Sequence, residues 1–108
     1  MPRRTYSPHT LSVAKVLGAQ IKIQRKLRHL TLAALAERAG ISRSWLQRIE
    51  AGDPRSEMGV VFEVAHLAGV ELLAAEADIP SIEKRQAERL ALLPAAVRPR
   101  HIEANNDF

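Results

Sequence analysis

Positions 43–48 concentrate polar side chains able to donate hydrogen bonds: Arg43, Ser44, Gln47 and Arg48. Spacing of one, four and five residues puts such groups on one side of a helix. An arginine fork there can meet a planar pair of acceptors. Catalytic chemistry is not legible. The histidines His9, His29, His66 and His101 are scattered and form no i, i+4 ligand pair. No cysteine is present, so thiolate metal sites and disulfides are excluded. Ser42 and Ser44 lack a base and an orienting group nearby, as a nucleophile would need. Glu57, Glu63, Glu71 and Glu76 fall on faces that read as exposed. No glycine-rich phosphate loop occurs. The expectation is a protein that binds rather than catalyses, with no metal and no cofactor.

The elements that would position those donors are helices. Val13, Leu17, Ile21 and Leu27, with Ala14 beside them, give a stripe at helical spacing and predict a first helix over 11–29. Thr31 suits the N-cap of a second helix to Ala39, lined by Leu32, Leu35, Ala36 and Ala39, with Gly40 placed to end it. Ser42 suits the N-cap of a third helix to about Ala51, with Leu46 and Ile49 inward and the polar set outward. Two short helices meeting at so short a turn can set the start of one of them in a major groove. Gly52-Asp53-Pro54 is turn chemistry. A fourth helix fits 58–68 and a fifth 71–77; Ile79-Pro80 interrupts, and Ser81 can cap a sixth helix to about Leu93.

The 108 residues are 46% apolar, mostly aliphatic, with 4% aromatics, enough for one folded core. Charge is uneven. Positions 1–30 hold Arg3, Arg4, Lys15, Lys22, Arg25, Lys26 and Arg28 and no acid, whereas the remainder holds nine basic and twelve acidic side chains. A basic third suits a polyanion; it also fits a solvated helix face. No apolar run approaches a membrane span and no signal peptide is readable, which leads to the expectation of a cytoplasmic protein without membrane contact.

The stretch from Thr31 to Gly52 resembles the phage-repressor helix-turn-helix, the XRE family. Leu17, Ile21, Arg25, Leu30-Thr31, Leu35-Ala36, Ala39-Gly40, Ser42, Leu46, Ile49-Glu50, Gly52 and Leu67-Ala68-Gly69-Val70 carry the likeness in register. The resemblance implies an all-α, compact five-helix, lambda-repressor-like DNA-binding domain. Here that means a flexible basic N-terminus at 1–10, the domain at 11–78, an additional helix at 79–93 and an extended tail at 94–108. By resemblance, Ser42, Arg43, Ser44 and Arg48 read base edges, Gln47 contacts a base or a phosphate, and Arg55 grips the backbone. Arg25 and Glu50 match a structural ion pair. The family's usual glutamine after the helix-starting threonine is Leu32 here. That departure shifts phosphate contact to Thr31 and the helix N-terminus. Trp45 either covers the crossing with the second helix or lies against sugar and phosphate.

The implied function is a sequence-specific repressor that binds an inverted-repeat operator as a homodimer. Val70, Leu72 and Leu73 are the candidate dimer interface, since they add apolar surface beyond what one small domain needs. The segments 52–59, 69–74 and 92–108 further resemble Hip-type antitoxins, repressors paired with a serine/threonine kinase toxin. In that reading the tail, with Val97, Ile102 and Phe108, docks on the toxin. The alternatives are a generic regulator of the same family without a toxin, or a module that binds protein or RNA and does not read DNA.

Overall fold

The computed structural model describes residues 4–73 and 78–100. They form five helices and no strand: α1 (Pro8–Leu27), α2 (Leu32–Ala39), α3 (Arg43–Glu50), α4 (Met58–Ala68) and α5 (Ile79–Leu92). The chain divides into two units, one running to Ala74 and the other from Ala75. α1 to α4 build the first and α5 belongs to the second.

α1 starts three residues earlier than the apolar stripe suggests. Ser7 Oγ accepts from the Thr10 N–H at 3.2 Å, and Pro8 opens the helix, where its missing N–H costs nothing. Positions 8–10 are therefore helical, not part of a flexible arm. The inward face of α1 also differs from expectation. Gly18, Ile21 and Arg25 are buried, with Leu17 packed against the core. Val13 and Leu27 lie in the open. α1 stops at Leu27 because His29 turns left-handed (φ 57°) and the Leu30 N–H returns to the Arg25 carbonyl at 3.0 Å.

Thr31 and Ser42 cap α2 and α3: Thr31 Oγ1 accepts from the Ala34 N–H at 3.0 Å, and Ser42 Oγ accepts from the Trp45 N–H at 3.1 Å. Gly40 ends α2 at φ 71°. The core between the four helices is Ile21, Leu35, Leu46 and Val64, all fully buried, with Ala36, Ile49, Ala65, Ala68 and Val70 around them. Each large aliphatic side chain so buried contributes about 1.5–3 kcal/mol relative to exposure.

The expected helix at 71–77 is not formed over Glu71–Leu73, and positions 74–77 lie outside the described residues. Gly69 (φ 86°) closes α4, and the Val70 N–H bonds the Ala65 carbonyl at 2.8 Å. Val70 is drawn into the core at 5% exposure, and the helix does not continue over 70–73. This corrects the placement of Val70 on a dimer surface, because its side chain is already used. Leu72 and Leu73 do remain exposed. Ile79-Pro80 does not interrupt a helix either; it begins α5, with Pro80 in the first turn. Among the described residues, no helix is long and apolar enough to cross a membrane.

Candidate nucleic-acid interface

α3 presents its polar side outward because Leu46 and Ile49 are held in the core. Arg43, Ser44, Gln47 and Arg48 are all exposed, and so is Ser42 at the cap. Ser42 Oγ lies 3.5 Å from Ser44 Oγ. Both capping hydroxyls, Thr31 and Ser42, accept from backbone N–H groups, and each carries an O–H donor of its own. Each stands at a helix N-terminus, where unpaired N–H groups and the dipole favour an anion. Leu32 is half-buried and packs against the core, so the position carries packing in this chain. Trp45 is likewise half-buried and packed on the core. It also walls a cleft of about 400 Å³ with Arg48, Asp53, Arg55, Ser56 and Glu57.

Arg25 is turned away from this surface. Its Nε donates to Glu50 Oε2 at 2.7 Å and its Nη2 to Glu50 Oε1 at 3.0 Å, both buried. Nη1 donates to the Leu30 carbonyl at 3.0 Å. One guanidinium thus joins the end of α3 to α1 and to the turn before α2. The hydrogen bonds that Arg25 donates to Glu50 raise its pKa against the opposing effect of burial. Arg25 is therefore removed from the basic patch at 1–30. Arg28 stays exposed, with its guanidinium lying against Gly69, where an added Cβ would overlap it.

The backbone-gripping candidate Arg55 is exposed and paired. Its Nε and Nη2 donate to the two Asp53 oxygens at 3.0 and 2.9 Å, and its backbone N–H donates to Asp53 Oδ1 at 2.9 Å. These bonds, the side-chain one first, lower the Asp53 pKa to about 2. The Arg55 pKa is raised by the same side-chain bond. Arg4 and Tyr6 line a wider cleft of about 900 Å³ together with Arg48 and the turn from Ala51 to Arg55, which brings the N-terminal segment beside the end of α3. Sequence reasoning missed Asp53, Arg4 and Tyr6 as site residues. The signal for Asp53 was present as an acid two residues before Arg55 across a proline, but it read only as a turn. Among the described residues, no group of three or more His, Asp or Glu is placed to hold a metal.

A family model described as a helix-turn-helix domain matches residues 16–77, more than half of the chain. The immunity repressor protein of Bacillus phage phi105 is 36% identical over 72 residues, which is 67% of this chain and 50% of that protein. The chain thus spans half the length of this curated relative. No solved structure matches.

Proposed function

This chain belongs to the helix-turn-helix domain family, and from that premise we propose that it is a DNA-binding transcriptional repressor whose α3 reads base edges in the major groove. The observation that carries the reading is the outward side of α3. Arg43, Ser44, Gln47 and Arg48 are solvent-facing on a short helix whose opposite side is locked in the core and whose end is tied to α1. Among the described residues, the side chains of Arg43, Gln47 and Arg48 make no hydrogen bond within the fold, and Ser44 meets only Ser42. The likeness to a phage immunity repressor supports repression as the outcome of binding. One such helix spans only a few base pairs, so the reading includes a homodimer on an inverted repeat, with half-sites about 34 Å apart. Exposed Leu72 and Leu73 are the candidate contact between copies.

Selection from random duplex and RNA libraries tests this. A two-fold symmetric DNA site is expected; enrichment of RNA alone would favour the module that does not read DNA. On the selected site, Arg43→Ala should cost about 1–3 kcal/mol and relax the preference at one base pair. Arg55→Ala should instead weaken binding without relaxing the preference at any single base pair. Unchanged affinity and specificity in Arg43→Ala would remove α3 from the reading role.

The finer reading is a Hip-type antitoxin that also binds a serine/threonine kinase toxin. It is supported by the likeness of segments 52–59, 69–74 and 92–108, and by the apolar side chains that the second unit leaves exposed: Leu90, Leu92, Leu93 and Val97. Ile102 and Phe108 lie outside the described residues. Extended chain carrying spaced apolar anchors suits docking on a partner. Deleting 94–108 should leave operator binding within about twofold, and should weaken binding to a co-expressed kinase of this type at least tenfold, or about 1.4 kcal/mol. Equal kinase affinities by calorimetry would reduce the proposal to a regulator without a toxin.

A further inference from the structure

Asp53 sits in the turn directly after α3 and commits both carboxylate oxygens to a single residue, Arg55. The two side chains are unequally placed: Asp53 is 15% exposed and Arg55 65%. A guanidinium carries five N–H donors in one plane. Pairing through Nε and Nη2 occupies one edge of that plane, which leaves the other donors directed away from the carboxylate. The backbone N–H of Arg55 is bound to the same Oδ1, so the main chain and the side chain of Arg55 are fixed by one group. A free surface arginine would lose rotamer freedom on meeting a ligand; this one has already lost much of it.

The pair also changes the charge. A lone arginine attracts any duplex through counterion release, without regard to sequence. Next to Asp53 the net local charge is zero, and the attraction that remains depends on direction. Arg55 borders the same cleft as Trp45 and Arg48 of α3, so its orientation fixes where a neighbouring phosphate stands relative to the base-facing side. Glu57 also lines that cleft and repels an anion from its interior, which leaves the outer edge of Arg55 as the point of contact.

We propose that Asp53 is a positioning residue that holds Arg55 as a directional donor to one DNA backbone phosphate beside α3, and so raises discrimination between the operator and random duplex. The inference rests on the DNA-binding reading above. Its test compares wild type, Asp53→Asn, Arg55→Ala, the double variant and Arg55→Lys. The probes are the duplex selected from the random library and a duplex of random sequence, titrated from about 50 to 200 mM salt. Asp53→Asn should bind the random duplex more tightly, with a salt slope steeper by about one phosphate contact. Its ratio of selected to random affinity should fall about tenfold, or about 1.4 kcal/mol. Arg55→Lys keeps the charge without the planar fork and should lose discrimination similarly. With Arg55 already replaced by alanine, adding Asp53→Asn should leave the ratio unchanged. An unchanged ratio in Asp53→Asn, full discrimination in Arg55→Lys, or an equal fall in the Arg55→Ala background would each overturn the inference while leaving the DNA reading intact. A wild-type protein that prefers no duplex would overturn both.

Discussion

Glu50→Ala should destabilise the four-helix unit by about 3–5 kcal/mol, because it strands the Arg25 guanidinium in the interior without its counter-charge. Arg25 makes three hydrogen bonds, two of them to Glu50 and one to the Leu30 carbonyl. The alanine variant removes the two charged ones and leaves a cavity beside Ile49. Small domains have about 5–15 kcal/mol in total, so a loss of this size populates the unfolded chain at ordinary temperatures. Taking the charge out altogether should behave differently. Arg25→Met with Glu50→Leu replaces the pair by apolar groups of comparable bulk, and such exchanges are often neutral or stabilising. Urea denaturation of the two single variants and the double variant gives the coupling. A double variant as unstable as Glu50→Ala would mean that the bond to Leu30 or the shape of the site dominates. The ion pair would then be incidental to stability.

Gly18→Ala should cost about 1–3 kcal/mol through overpacking, at a helical position where alanine ordinarily stabilises. An added Cβ would overlap the Ile49 carbonyl oxygen and stand 2.7 Å from that of Glu50. Both obstacles are backbone at the end of α3 and cannot swing aside as a side chain would. Relief requires α1 and α3 to separate, which also pulls at the Arg25–Glu50 pair. The effect should therefore reach DNA binding, since α3 carries the candidate base-reading side chains. Gly59→Ala in the first turn of α4 is the internal control: nothing lies within 4 Å of its added Cβ. It should stabilise by up to about 1 kcal/mol. Thermal unfolding of both variants reads the contrast. Gly18→Ala equal to or above wild type would show that the α1–α3 crossing yields easily.

The local signals along the chain were legible because they act over a few residues. Thr31 and Ser42 as caps, Gly40 as a left-handed stop, and Leu46 and Ile49 as the inward pair of α3 all follow from propensity and spacing. The outward polar set on α3 follows from the same periodicity. The ends of α1 were less legible. The apolar stripe runs through Val13 and Leu27, which the fold leaves exposed, whereas the contact face includes Gly18 and a charged residue, Arg25. Hydrophobic periodicity does not register a glycine chosen for closeness or an arginine chosen for its partner. The stretch after Gly69 failed for a related reason. Val70, Leu72 and Leu73 look alike in sequence, but the turn that closes α4 sends Val70 into the core and leaves the two leucines outside.

By itself, the sequence determined the helical class, the two capped helices around Gly40, and which residues of α3 are free to meet a ligand, because those are consequences of short-range backbone chemistry. The Arg25–Glu50 pairing itself came from family likeness, not from any local pattern. Only the tertiary structure decided the close crossing at Gly18, the withdrawal of Arg25 from the basic patch, and the approach of Arg4 and Tyr6 to Arg48 and Arg55 around one cleft. Those depend on the distance between elements remote in the chain and on which charges meet when the core closes. Spacing along a sequence carries no measure of either.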